Sequence, residues 1–473
     1  MSERAPTGAT YEQELSRSLG LWGSIVLTLS SVTPASSVFI IVPFIIFAAG
    51  TGAFLAMVFA AIIGVFMAFC WAELSAAFPI AGGDYALVWH AFKGRAAAFA
   101  GPASFVTFAL FFAAIAFIPA VIALGTAEYL KVVFDVPTAP AGAIVVVLAT
   151  LVAILNIRVN AIVTGIFLLI ELSALAILTL LGIINMHADR IPQLLSGWVN
   201  GNATTGALDP VAFGLVLTAT ASAVFAYNGY AMPVNLSEEV RGSSRQIATA
   251  ILWCLVITVA AELIPTTAVL LGAPDLAAVL SNSTPMSAFL LATSNSTINT
   301  IVSLGVAIAI FNAVIAIIVQ FGRVLYSAAR DRAFPGVTSD WLSSIHPTWR
   351  SPWIATILVG AIGVVLSLTV DLGTLITLTG ASLVLNYALI AVAALVARMV
   401  GSADHSPYKM PFWPLPPVVA ILALAYITTQ QTQTALLVTG GTIAIGLIYW
   451  AVVILPQGGR AWTLKQPLRD EGF

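Results

Sequence analysis

Two carboxylates stand where carboxylates are costly. Glu171 lies about eleven residues into the apolar stretch 160–185, and Glu262 lies at similar depth in the stretch 247–272. A charge so placed costs several kcal/mol unless it is paired, hydrated or neutralised. A buried carboxylic acid exchanges a proton near neutral pH, so Glu171 is a candidate proton carrier. A neutral glutamate bonded between helices and a direct ligand for a cationic substrate are the other two readings. Glu262 is followed by Pro265, and a bond to the backbone freed by that proline stands beside a functional role. Glu128 and Asp371, near the ends of their stretches, are expected to be wetted.

The second chemical resource is backbone. The apolar spans 19–48 and 210–236 are each interrupted by a polar, proline-bearing segment, Ser30-Ser31-Val32-Thr33-Pro34-Ala35-Ser36-Ser37 and Tyr227-Asn228-Gly229-Tyr230-Ala231-Met232-Pro233. Proline removes a donor and frees a carbonyl, and lipid satisfies neither, so such breaks persist only against protein or a water-filled cavity. Paired breaks in two chain halves mark a secondary transporter with its substrate near the bilayer midplane. The candidate substrate site follows. With Thr33 at its edge, amides at Ala35, Ser36, Ser37 and Val38 would receive an anionic group, and carbonyls of Phe225, Ala226 and Asn228 an ammonium. Tyr227 and Tyr230, with Phe111 and Phe112, would close over a substrate or cage a cationic amine; simple packing is the alternative for all four. Asn312 is deep enough to reach the first break, although a hydrogen bond between helices explains it and Gln320 equally well.

These residues need a membrane scaffold, and the composition supplies one. Of 473 residues, 60% are hydrophobic and 8% charged, with mean hydropathy +1.03, against about 25% charged in soluble domains. Twelve apolar spans are expected, at about 19–48, 52–79, 96–133, 139–156, 160–185, 210–236, 247–272, 298–331, 353–370, 374–398, 414–431 and 434–455, each near the roughly 20 residues that cross a bilayer. With a cytoplasmic N-terminus, all the lysines and arginines except Lys131 and Arg190 fall in cytoplasmic segments, as the positive-inside rule requires. The expected fold is an all-α membrane protein of twelve transmembrane helices: a 5+5 inverted repeat, with two C-terminal helices added. Its parts are a cytoplasmic tail 1–18, a first five-helix repeat 19–185 with broken helix 1, an external loop 186–209, a second repeat 210–398 with broken helix 6, helices 11–12 at 414–455 and a cytoplasmic tail 456–473. Residues 273–297 are expected to be an interfacial helix or a loop. No cleavable signal peptide is expected.

Several motifs resemble those of the amino acid-polyamine-organocation superfamily of permeases, which have the LeuT-type fold. Glu73-Leu74 through Pro79, Gly82-Gly83 and Tyr85 follow E-L-x-x-x-x-P-x-x-G-G-x-Y. Phe225-Ala226-Tyr227-Asn228-Gly229-Tyr230 precedes the acidic pair Glu238-Glu239 and Arg241, and Gly322-Arg323 runs to Asp331-Arg332-Ala333-Phe334-Pro335. The resemblance covers nearly the whole chain up to span 10. It implies that Glu171 falls at or near the position where many proton-coupled relatives carry a lysine in place of a sodium ion, and that Glu73, Asp84, Arg323 and Asp331 form a cytoplasmic gating network. One departure stands out: the G-S-G-I-F of many relatives reads Ala35-Ser36-Ser37-Val38-Phe39 here, so side chains narrow the approach to the amides.

Other chemistries find little support. His90, His187, His346 and His405 have no metal or nucleophile spacing, no phosphate-binding glycine loop is present, and the net charge of −2 implies no nucleic-acid partner. Cys70 and Cys254 read as packed thiols. An enzyme and a cofactor are not expected. The expectation is a cell-membrane permease, in the inner membrane if bacterial, with both termini cytoplasmic. It takes up an amino acid or related small amine by proton symport. Sodium remains open as coupling ion through Thr33, Ser36 and Ser37, and an exchanger or a non-transporting sensor are the rival functions. The oligomeric state is not legible.

Overall fold

The structure, a computed structural model, describes residues 10–11, 20–80, 82–131, 134–155, 161–235, 237, 240, 243–349, 351–462, 464 and 466–467. Glu238, Glu239 and Arg241 of the second motif lie outside these, as do Arg4, Arg17, Arg158, Arg350, Lys465 and Arg469.

Every expected span holds a helix. In chain order these are α1 (Leu21–Val32) and its continuation α2 (34–49), α3 (Ala53–Ala77), a short connecting helix α4 (Asp84–Ala91), α5 (Ala97–Leu130), α6 (Thr138–Ile154), α7 (Ala161–Ile184), α8 (Phe213–Ala226), α9 (Arg245–Gly272), α10 (Ser296–Arg330), α11 (Trp353–Thr369), α12 (Leu372–Met399), α13 (Leu415–Thr429) and α14 (Gln433–Tyr449). Among the described residues, strands are confined to short pairings outside the spans, including an antiparallel hairpin of Val199–Gly201 with Leu208–Pro210. The stretch 273–297 forms two short helices, Leu276–Leu280 and Pro285–Thr293; Asp275 caps the start of the first, accepting from the Ala278 amide at 3.0 Å, and Asn295 caps the start of α10, accepting from the Ile298 amide at 2.9 Å.

Two helices stop short. α1 has 12 residues and α8 has 14, about 18 and 21 Å of rise, so both end inside the ~30 Å hydrocarbon layer. α1 ends because Thr33 turns left-handed, φ 51°, and Pro34 cannot donate. The chain then resumes through a π turn, Ser37–Ile41, just before Pro43, whose missing N–H interrupts the regular ladder. After α8 the expected second half of span 6 is only a 3-10 turn, Met232–Val234. Gly229 at φ 112° and Pro233 account for the shortfall.

Helices in lipid associate by close packing rather than by hydrophobic transfer, and small residues allow it. α12 lies on α5 and α8, and α9 on α3 and α7. A Cβ on Gly182 of α7 would stand 2.4 Å from the Ala268 carbonyl oxygen of α9, and one on Gly380 of α12 would stand 2.8 Å from the Ala221 oxygen of α8. Because the obstacle at Gly182 is backbone, the helices must separate to admit a side chain. Gly182→Val is therefore expected to lower stability by about 3 kcal/mol, the upper part of the over-packing range, read as a fall in detergent-solubilised Tm. An unchanged Tm would show that the α7–α9 crossing is loose.

On the near face, where the chain begins, Glu73 at the end of α3 is buried and paired with Arg398 of α12, Nε to Oε1 2.6 Å. The segment beyond α12 closes over this pair: the Met410 amide donates to Glu73 at 3.0 Å, and the Ser406 hydroxyl donates to the Glu73 carbonyl at 3.1 Å. On the far face, Thr51 joins the Gln193 carbonyl to the Val199 amide, and Asn200 donates to the Phe47 carbonyl. The loop between α7 and α8 is thereby fixed over the end of α2.

Candidate functional site

The two breaks touch. A Cβ on Gly229 would stand 2.9 Å from Val32 Cγ2, and the Ser37 hydroxyl donates to the Ala226 carbonyl at 2.7 Å. Beside this contact lies a cavity of about 110 Å³ whose lining includes Thr33, Ser36, Ser37, Phe111, Phe225, Ala226 and Asn228. Both breaks thus supply its walls, and their frayed backbone faces protein and cavity rather than lipid.

The other predicted residues are placed around it rather than on it. Ala35 and Val38 are fully buried behind the lining, and the Ala35 amide is taken by the Glu171 carboxyl. The Ser37 amide is used as well, by the Thr33 carbonyl at 3.3 Å, so the expected row of open amides is partly closed. Tyr227 and Tyr230 are buried and absent from the lining; Tyr230 packs edge-on against Trp71, ring centroids 5.7 Å apart. Phe111 faces the cavity against Phe321 at 5.8 Å, whereas Phe112 packs on Phe108. Asn312 does not reach the cavity, and Gln320, two turns further along α10, does. Eight residues separate the two by about 12 Å along the helix axis, and which of those depths meets the cavity is set by the packing of α10, which a stretch apolar on nearly every side does not report.

Sequence reasoning assigned the cavity no role for Trp71, Asn235, Asn386 or Tyr387, and gave Asp84 a gating role only. These build its near-face floor. The Asp84 carboxylate accepts from Trp71 Nε1 at 2.8 Å and Asn386 Nδ2 at 2.8 Å. Burial pushes the Asp84 carboxyl above the usual carboxylate range, against those two hydrogen bonds, which lower it. Trp71 packs edge-on against Tyr387 at 4.6 Å, and Asn228 in the second break donates to the Tyr387 hydroxyl at 3.0 Å. Floor and break are therefore one hydrogen-bonded and stacked unit. The signal that could have found it was the Asp in Gly82-Gly83-Asp84-Tyr85, at the turn from α3 into α4.

The expected ionic network of Glu73, Asp84, Arg323 and Asp331 is not formed as such. Glu73 pairs with Arg398, Asp84 meets the indole and amide, Asp331 receives the Tyr85 hydroxyl at 3.3 Å, and Arg323 is exposed on α10. Helical spacing brings Arg323 to the outside of its helix.

The two intramembrane carboxylates flank the first break. Glu171 of α7 is buried, with one oxygen toward the Ala35 amide and the other without a hydrogen-bond partner. Glu262 of α9 lies beside the Ser37 hydroxyl, whose proton goes to Ala226, so both carboxyl oxygens lack a donor. The expected bond from Glu262 to backbone freed by Pro265 is not made; its side chain turns to the break instead.

The sequence profile described as amino acid permease matches residues 19–455. The chain belongs to the amino acid permease family. An uncharacterized transporter of Mycobacterium tuberculosis is 28% identical over 424 residues, 89% of this chain and 88% of its own. The methylthioribose transporter of Bacillus subtilis is 21% identical over 392 residues, 79% of each chain, and the serine/threonine exchanger of the same organism 24% over 247 residues, 52% of this chain and 55% of its own. The chain is accordingly a multi-pass membrane transporter rather than an enzyme.

Proposed function

We propose that this permease takes up an amino acid or related small amine by alternating access, with a proton as the coupling ion and Glu171 as its carrier. The two five-helix units 19–185 and 210–398 form the inverted repeat that rocks about the site, and the near face is cytoplasmic. The observation that carries the substrate class is the charge of the site. Asp84 lines the cavity and Glu171 and Glu262 flank its wall, while no lysine, arginine or histidine is among the described lining residues. A site with acids and no fixed cation favours a substrate bearing an ammonium group. Ser36, Ser37, Asn228 and Gln320 supply neutral polar contacts for the remainder.

The relatives named for methylthioribose and for serine and threonine carry different cargoes, so the substrate must be found directly. The deciding experiment is a thermal-shift screen of the purified protein with amino acids, polyamines and other small amines, followed by proteoliposome uptake of each hit under a proton gradient, with and without sodium. Accumulation of an amine-bearing hit driven by the proton gradient alone is expected. Accumulation only with sodium overturns proton coupling; movement only against a second internal solute makes the protein an exchanger, and binding without movement makes it a sensor.

A further inference from the structure

A column of buried polar groups beside the cavity is not used by the site. Hydroxyls inside the spanning helices commonly donate to the carbonyl four residues back, as Thr107, Thr126, Thr150, Thr220, Thr266 and Thr379 do. Ser24, Thr28 and Thr258 do not. All three are fully buried, and Ser24 and Thr258 meet no hydrogen-bond partner while Thr28 has only the weak acceptor sulfur of Cys254 beside it.

Their spacing puts them in one seam. Ser24 and Thr28 are one turn apart on α1, and Cys254, Thr258 and Glu262 follow at the same spacing on α9, so each set lies on a single helix face. α1 packs against α9, and the Thr28 hydroxyl approaches the Cys254 sulfur, which sets the two rows at the same depth. The column starts near the beginning of α1 and ends at Glu262, fully buried and next to Ser37 at the cavity wall. An orphaned buried hydroxyl costs about 1–3 kcal/mol. Several in one line, ending on a carboxyl, call for a use.

We propose that the seam between α1 and α9 is a hydrated path that delivers protons from the near face to Glu262, making Glu262 a second exchangeable proton site beside Glu171. In the loading step an O–H bond forms at one Glu262 oxygen while a hydronium at the inner end of the path loses that proton and becomes water; unloading is the reverse. The ionisable side chains on the helices packed against α9 are Glu171 of α7 and Cys70 and Glu73 of α3, α9 itself carries Arg245 and Cys254, and Tyr227 follows the end of α8. Of these, Tyr227 is the one in electrostatic contact with Glu262, and α1 offers hydroxyls alone. The inference extends the proton-coupled reading above to a different residue and a route.

The test is infrared difference spectroscopy of the reconstituted protein between acidic and alkaline buffer, reading the C=O stretch of protonated carboxylic acids. The wild type is expected to show bands of which one is lost in Glu262→Gln and kept in Glu171→Gln. After a pH jump, Thr28→Val and Thr258→Val, which keep shape and remove the hydroxyls, are expected to slow growth of that band about tenfold with Tm unchanged. A spectrum unaltered by Glu262→Gln overturns the proposal, as do valine variants that raise Tm and leave the rate as it was, the behaviour of a dry seam. The measurement needs no transported solute. A failed proton-driven uptake therefore defeats the functional reading alone, and an unaltered spectrum with uptake intact defeats this one alone.

Discussion

Glu171→Gln is expected to leave a transporter that exchanges its substrate across the membrane and no longer concentrates it. The glutamine oxygen still accepts from the Ala35 amide, and its volume matches, so the first break keeps its support. What is lost is the oxygen that now lacks a partner and with it the capacity to bind a proton. With one proton per substrate, each unit of pH difference is worth 1.36 kcal/mol, or about tenfold accumulation. The accumulation ratio of the variant should fall to unity while counterflow of labelled substrate continues. Retained pH-driven accumulation would remove Glu171 from the carrier role; loss of counterflow as well would show that the carboxyl holds the break together or binds substrate directly.

Arg398→Met carries the second large effect. Glu73 is buried and its carboxylate is held by the Arg398 guanidinium at 2.6 and 3.2 Å and by the Met410 amide. Removing one partner of a buried ion pair leaves an uncompensated charge, at a cost of about 3–5 kcal/mol, whereas exposed pairs contribute at most about 1. Because Arg398 is partly solvent-accessible, the lower end applies, about 3 kcal/mol. The paired variant Glu73→Gln with Arg398→Met should recover most of the loss, since the orphan charge is gone and the amide oxygen still accepts from Met410. Thermal unfolding of the three proteins in detergent decides the matter. A single-variant loss below about 1 kcal/mol would mean that the pair behaves as a surface bridge.

Class, span number and the positions of both breaks were legible because lipid forces each spanning segment to satisfy its own backbone, so apolar run length reports the helix and proline or glycine reports its interruption. Helix azimuth was not. Asn312 and Gln320 sit in the same apolar helix, and only packing turns Gln320 to the cavity. Tyr227 and Tyr230 lie in the second break but are turned away from its open side, toward Glu262 and Trp71 respectively. Asp84, expected in a gating network, is part of the cavity floor because α4 folds back beneath Trp71 and Asn386. Composition, run length and motifs were enough to establish an all-α membrane protein of the permease family, with two interrupted helices and two acids deep in apolar stretches. It took three-dimensional packing to bring Glu171 to the Ala35 amide and Glu262 to Ser37 of the same break, to join the breaks at Gly229 and Val32, and to line up a column of buried hydroxyls that leads to Glu262. Such contacts join residues far apart in the chain through helix rotations that hydropathy, being nearly uniform around these helices, does not encode.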